Sequence, residues 1–251
     1  MHRIMFSIGP VTIYSYGVFV ALGVALAVIL SVRQASREGI KTADMLDILT
    51  AMILGGVVGG RMLFVFINWK IYLDDPVSIF NLSEGGMAFQ GALVLSMVSG
   101  AVLSVRRKIY FWKVSDIMAP YLALAHSMGR IGCFFNGCCY GKEVCQGPSV
   151  VFPGETVQRI PTQLYSSLGL LAIFVLLVWL RQRKTFDGFL FSVYLMAYSV
   201  FRVFMDNFRG DELVRMNGFT LSQVISVCVF FAGVLIYVVQ RKRGSLNKRS
   251  G

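Results

Sequence analysis

Along the chain, apolar runs of about 20 residues alternate with short polar stretches, and a helix of that length crosses a hydrocarbon core of roughly 30 Å. Seven such runs can be marked, at 10–32, 45–67, 86–105, 114–135, 162–180, 188–208 and 219–240. Each predicts a transmembrane helix, because a helix satisfies its backbone polar groups within one segment. The fourth run is the least apolar, holding Pro120, His126 and Arg130; half inserted, it would leave six spans. The first run has no basic leader of any size and no small-residue cleavage site behind it, so it is expected to stay as a span. No stretch predicts a soluble domain, a low-complexity linker or an internal repeat. The expected fold class is an all-α membrane protein, a polytopic bundle of about seven transmembrane helices forming one integral domain over 1–251.

Composition agrees. The chain is 56% hydrophobic and 15% charged, whereas soluble domains are about 45–50% apolar and about 25% charged. A net charge of +11 would suggest nucleic acid in a soluble protein. Here the basic residues lie mostly in short loops between apolar runs, where they encode orientation, so no nucleic-acid partner is expected. With the N-terminus outside, the inner segments hold Arg33, Arg37 and Lys41, then Arg106, Arg107, Lys108 and Lys113. Arg181, Arg183 and Lys184 follow, and then Arg241, Lys242, Arg243, Lys248 and Arg249. The outer segments hold only Arg3, Lys70, Lys142, Arg159, Arg209 and Arg215, together with the acids Asp74, Asp75, Glu84, Glu143, Glu155, Asp211 and Glu212. This bias decides for seven spans over six. It places the N-terminus outside and the C-terminus in the cytoplasm of a bacterial inner membrane.

Three arginines, Arg61, Arg130 and Arg202, remain inside spans. Each costs about 2.5–3.5 kcal/mol to insert, and such residues mark functional paths or sites. The plainer alternative is snorkelling, in which a long side chain lifts its charge to the interface. The topology puts all three within about two turns of the outer surface. Asp206 and Arg209 share a helix face with Arg202, while Tyr16, Gln90 and Gln163 open other spans on that side. Guanidinium forks suit phosphate, so the expectation is a pocket for an anionic lipid headgroup in the outer leaflet. The glycine stripe Gly55, Gly56, Gly59 and Gly60 reads as close helix packing rather than a phosphate cradle.

At these positions the chain resembles the prolipoprotein diacylglyceryl transferase family. The most specific match is GRIGCFFNGCCYG at 129–141, similar to a signature that begins Gly-Arg-x-Gly and runs through Asn to Gly. Others are YG at 16–17, GGR at 59–61, GGMAFQG at 85–91, PTQLY at 161–165 and FRVFMDNFR at 201–209, with Thr220, Gln223 and Ser226 in the last span. The resemblance runs in order over nearly the whole chain. It implies transfer of the diacylglyceryl group of phosphatidylglycerol to the lipobox cysteine of prolipoproteins, forming a thioether and releasing glycerol phosphate, with no cofactor. It also implies that Arg130 and Arg202 hold the headgroup, and that Arg61, Arg209, Tyr16, Asn136, Gly141 and Asp206 belong to the site.

The chain departs from the family at three places. Gln90 stands where many members carry a histidine, Ile160 replaces a histidine before PTQLY, and Cys133 and Cys138 replace Asn and Glu. A glutamine offers hydrogen bonds and no base. The expected explanation is that the arginine field itself ionises the acceptor thiol, since a thiol of pKa about 8.5 is already partly ionised. His126, one turn before Arg130, reads as a buried, hydrogen-bonded histidine, with a substitute base as the alternative. Cys133, Cys138, Cys139 and Cys145 are compatible with a disulfide outside the cytoplasm. Their irregular spacing is a weak zinc signal, and no metal is expected. Two rival functions use the same arginines: a lipid transporter or flippase, and a family paralogue with another acceptor. A transporter predicts repeats and discontinuous helices near the midplane, and the inner halves of these spans carry almost no charge.

Overall fold

The computed structural model describes residues 4–8, 11–73, 75–80, 85–144, 148–152, 156–210, 215–216 and 219–247. Among them are seven helices: α1 (Ser15–Arg37), α2 (Thr42–Ile67), α3 (Phe89–Arg106), α4 (Phe111–Asn136), α5 (Thr162–Arg181), α6 (Phe189–Asp206) and α7 (Leu221–Asn247). Six of them, all but α4, are long and apolar enough to cross a membrane. This is a multi-pass membrane protein. Three short antiparallel hairpins accompany the helices: β1 (Ile4–Ile8) with β2 (Val11–Tyr14), β3 (Val150–Val151) with β4 (Gln158–Arg159), and β5 (Arg215–Met216) with β6 (Phe219–Thr220).

The helices differ from the expected spans mainly at their ends. The first starts at Ser15 instead of residue 10, because the residues before it pair as β1 and β2. At their basic ends α1 and α7 run past the apolar stretch, through Arg33 and Arg37 and through Arg241, Lys242 and Arg243. Hydropathy marks what can lie in lipid, whereas good helix formers such as Arg, Lys and Gln carry a helix beyond it. Gly39, at φ 79°, closes α1, with the Ile40 amide donating to the Ala35 carbonyl at 2.9 Å, the left-handed turn that glycine allows.

The chain forms two compact units, Val32–Val114 and the combination of Met1–Ser31 with Ser115–Gly251. In the first, α2 packs against α3 with almost no side chain between them. A Cβ on Gly59 would collide with the Gly91 carbonyl, one on Gly91 with the Gly59 carbonyl, and one on Gly55 with the Ser99 hydroxyl. The Ser99 hydroxyl in turn donates to the Ala51 carbonyl at 2.9 Å. The glycine stripe is therefore a packing device, with its partner glycine supplied by α3. Arg107 closes the same hairpin through ion pairs with Asp44, at 3.3 Å, and Asp47.

In the second unit α4 is the buried helix. Every residue from Ser115 to Tyr121 is buried, which explains why a 26-residue helix can carry Asp116, Pro120, His126 and Arg130. A polar side chain buried on this helix needs a polar partner. Gly23 of α1 lies against Ala125 and Met128 of α4, and Ser127 of α4 hydrogen-bonds Ser167 of α5 at 2.8 Å. Asp116, 1% exposed, accepts the amides of Gly188 and Phe191 at 2.8 and 2.9 Å and pairs with Lys184 at 3.2 Å. It thus caps the N-terminus of α6 from another helix. Burial opposes the charge on Lys184, but its hydrogen bond to Asp187 and the charge of Asp116 hold its ammonium above the ordinary lysine value. That contribution is full below pH 10.5 and is lost only as alkali titrates the raised group.

Two outcomes follow for stability. Gly59→Val forces α2 and α3 apart and should cost about 1–3 kcal/mol, read as a lower thermal unfolding midpoint in detergent. Gly17→Ala, where nothing lies within 4 Å, is the control and should leave the midpoint in place. Asp116→Ala removes an ion pair and two amide bonds together and should cost about 2–4 kcal/mol at neutral pH. A midpoint within a degree of the parent would show that α6 starts without this cap.

Candidate functional site

The end of α6 and the start of α7 are tied together by polar side chains. Arg202 pairs with Asp206 one turn on, Nη2 to Oδ1 at 3.2 Å, and its Nε donates to the Ser222 hydroxyl at 2.9 Å. The Thr220 hydroxyl lies 3.4 Å from the other Asp206 oxygen. Thr220 and Gln223 then form a reciprocal cap. The Gln223 amide donates to the Thr220 hydroxyl at 3.1 Å, and the Thr220 amide donates to the Gln223 side-chain oxygen at 3.0 Å, the capping-box arrangement for a helix N-terminus. Asp206, fully buried, is what holds Arg202 in place.

Arg130 is different. It is half-buried near the end of α4, and its guanidinium makes no hydrogen bond or ion pair among the described residues. Its charge nevertheless reaches Tyr16, His126, Cys138 and Arg202, and Arg209 also acts on Arg202. Gly132 lets Tyr16 and Phe19 of α1 lie directly against α4, and Phe19 stacks on Phe135 with centroids 5.2 Å apart. His126 is packed against the Tyr198 ring at 5.3 Å. Of these cations Arg202 is matched by an acid, Asp206, and an excess of positive charge favours the binding of an anion.

Past α4 the chain turns twice through the left-handed region, at Gly137 (φ 72°) and Cys139 (φ 61°). The Cys138 amide donates back to the Cys133 carbonyl at 3.2 Å. The start of α5 pins the turn: the Thr162 hydroxyl donates to the Cys139 carbonyl at 2.9 Å and the Gln163 amide to the Cys138 carbonyl at 2.7 Å. Gln163 is 1% exposed, and its Oε1 has no partner among the described residues. The result is that the sulfurs of Cys133, Cys138 and Cys139 lie within 4.8 Å of one another. Cys133, Cys138, Cys139 and Cys228 are free thiols; Cys145 lies outside the described residues. Hydrogen bonds with Cys133 and Cys139 pull the Cys138 thiol below its ordinary range, with Asn136 and the Arg130 charge adding to them against burial.

Gly141 is a backbone crossing. Its amide donates to the Ile160 carbonyl at 2.9 Å, the Lys142 amide donates to the Phe208 carbonyl at 3.0 Å, and a Cβ here would strike Ile160 and Thr162. Gly141 also bridges Arg209, so this glycine carries Arg209 beside the turn. Next to these strands is an apolar cavity of about 460 Å³ lined in part by Ile160, Tyr165, Phe201, Met205 and Phe208.

Of the residues singled out from sequence, Tyr16, His126, Arg130, Asn136, Gly141, Gln163, Arg202, Asp206 and Arg209 all belong to the second unit, while Arg61 and Gln90 belong to the first. Gln90 is exposed in the opening turn of α3. Arg61 is buried, donating to the carbonyls of Ser78, Ile79, Gly85 and Gly86 at 2.7, 2.8, 2.7 and 3.1 Å. It organises the segment between α2 and α3. Sequence reasoning missed Ser222 as the second support of Arg202, and it missed the meeting of three thiols. No periodic pattern links position 202 to 222, and adjacent cysteines do not reveal a turn that folds one of them back.

A family profile described as prolipoprotein diacylglyceryl transferase matches residues 3–239. A phosphatidylglycerol–prolipoprotein diacylglyceryl transferase 2 of Clostridium perfringens is 29% identical over 249 residues, covering 97% of each chain. Phosphatidylglycerol–prolipoprotein diacylglyceryl transferases of Bacillus cereus and Bacillus mycoides are 31% and 32% identical over 259 aligned positions, covering 99% of this chain and 96% of theirs.

Proposed function

The chain belongs to the prolipoprotein diacylglyceryl transferase family, and from that premise we propose how its own residues carry the reaction. It is a transferase that moves the diacylglyceryl group of phosphatidylglycerol to prolipoproteins. The single observation that supports the assignment of the site is Arg130: a half-buried guanidinium with no hydrogen-bond or ion-pair partner among the described residues, its charge acting on an Arg202 held by Asp206 and Ser222. Such a charge is stabilised by an anion supplied from outside the protein, and a lipid phosphate has the right charge and two-point geometry. The apolar cavity along α6 suits an acyl chain of the same lipid.

In this reading the acceptor is the lipobox cysteine. Its sulfur forms a bond to the glyceryl carbon that carries the phosphate, and the carbon–oxygen bond breaks. The electron pair leaves on glycerol phosphate, and the thiol proton goes to solvent. Arg130 and Arg202 stabilise the charge that gathers on the departing phosphate. Tyr16, Asn136 and Arg209 complete the polar wall, His126 and Gln163 support it, and Gln90 of α3 serves as a hydrogen-bonding side chain. Arg61 acts through the segment that it holds. All seven helices span a bacterial inner membrane with the N-terminus outside, α4 crossing as the central helix, and the site faces the outer leaflet.

Reconstitution with phosphatidylglycerol and a lipobox peptide should add one diacylglyceryl unit to the peptide mass. Movement of the lipid between leaflets without a mass gain would make the protein a flippase instead. Arg130→Lys and Arg202→Lys keep the charge but lose the planar grip. Each should lower kcat/KM by roughly 30- to 900-fold, about 2–4 kcal/mol of transition-state stabilisation. Near-parental turnover would remove that residue from the headgroup site. In spheroplasts, Lys70→Cys should add labelling by an impermeant thiol reagent over the parent, and Ser245→Cys should not. The reverse pattern would overturn the orientation.

A further inference from the structure

The reaction described above uses none of the three thiols at the end of α4, yet the structure arranges them with some care. The Schellman-type turn at Gly137 and the left-handed Cys139 fold the chain so that all three sulfurs face one point, within 4.8 Å of one another. A non-glycine residue in that conformation costs of order 1 kcal/mol, and such strain collects at functional sites. Both carbonyls of the vicinal pair are fixed by Thr162 and Gln163, so the turn is set before any ligand arrives. Three thiolates around one ion at the zinc–sulfur distance of about 2.3 Å stand about 3.8 Å apart. Sulfurs within 4.8 Å of one another have to close by about 1 Å or less to reach that spacing.

We propose that Cys133, Cys138 and Cys139 bind a zinc ion whose fourth position takes the sulfur of the acceptor cysteine. Three protein ligands with an open position is the form of a catalytic zinc site, as opposed to the closed four-ligand structural form. A thiol that coordinates zinc is deprotonated, so a zinc ion held there would present the acceptor sulfur as a thiolate to the glyceryl carbon bonded to the phosphate oxygen, with no change in the oxidation state of the metal. The acceptor proton leaves to solvent on coordination. The sulfur then forms the carbon–sulfur bond, glycerol phosphate departs, and the thioether, a weaker ligand, dissociates from the metal. The buried Gln163 adds a side-chain oxygen without a partner among the described residues at the base of the same turn. The inference rests on the transferase reading for its acceptor, while the metal site itself stands or falls separately.

The full-length protein, purified in detergent without chelator, should carry about one zinc per chain by elemental analysis. Single Cys133→Ser, Cys138→Ser and Cys139→Ser variants should retain zinc about tenfold less or worse, whereas Cys228→Ser, at an exposed position on α7, should match the parent. Cobalt in place of zinc should give thiolate-to-metal absorption in the near ultraviolet. A lipobox peptide should shift the visible cobalt bands, and the same peptide with serine for cysteine should leave them unmoved. A protein that transfers diacylglyceryl at full rate with neither zinc nor cobalt bound overturns the metal site and leaves the transferase reading intact. So does a disulfide among the three residues in active protein. Metal bound at the three cysteines with cobalt bands indifferent to the peptide overturns the open position. Zinc and peptide binding without any transfer from phosphatidylglycerol would instead defeat the transferase reading.

Discussion

A polar group placed among apolar helices must be answered by another polar group, because neither lipid tails nor packed side chains will do it. The described polar residues sort themselves by how this is met. Arg61 is answered by four carbonyls of one segment, Asp116 by Lys184 and two amides of α6, and Arg202 by Asp206 and Ser222. Each arrangement joins stretches that are distant in sequence, so the requirement to satisfy charge also fixes the tertiary structure. Arg130 makes no such bond within the described residues. The same constraint that organises the rest is what supports the proposal that this residue binds a ligand.

That constraint also explains the character of α4. A helix at the centre of its unit is freed from the need to be apolar but must find partners along its whole length. It finds them in Gly188 and Phe191 at its start and Ser167 at its middle. Its small residues allow α1 to approach at Gly132 and from Gly23. Close approach of backbones and satisfaction of buried polar atoms are two sides of one economy, since side chains that are short let helices near and leave room for the few that are long.

The site proposed for the chemistry lies where α4 ends and α5 begins. The backbone there is heavily cross-bonded, through Gly141, Ile160, Lys142 and Phe208, while Arg130 and Arg202 stand near helix ends. A site that must grip a phosphate and present a thiol to an adjacent carbon gains from that rigidity, because small displacements in such geometry are costly.

The sequence by itself determined the membrane class, the approximate helices and the family. Apolar runs long enough to span, charge bias in short loops and motifs spread in order over the chain are all local properties that no folding is needed to read. It also named the arginines, since a guanidinium in an apolar run is anomalous wherever it ends up. Apart from the family resemblance, the hydrophobic pattern could not rank them. Arg61 and Arg130 look alike in the hydrophobic pattern, and only the carbonyls gathered from 78 to 86 show that one is bonded to the protein while the other makes no such bond among the described residues. Equally, Cys133 and Cys138 are merely close in sequence until a left-handed Cys139 and two hydrogen bonds from α5 bring three sulfurs to one point. Partnership between polar groups is a matter of distance and direction in three dimensions, and the hydrophobic pattern, which reports only which residues avoid water, carries no record of it.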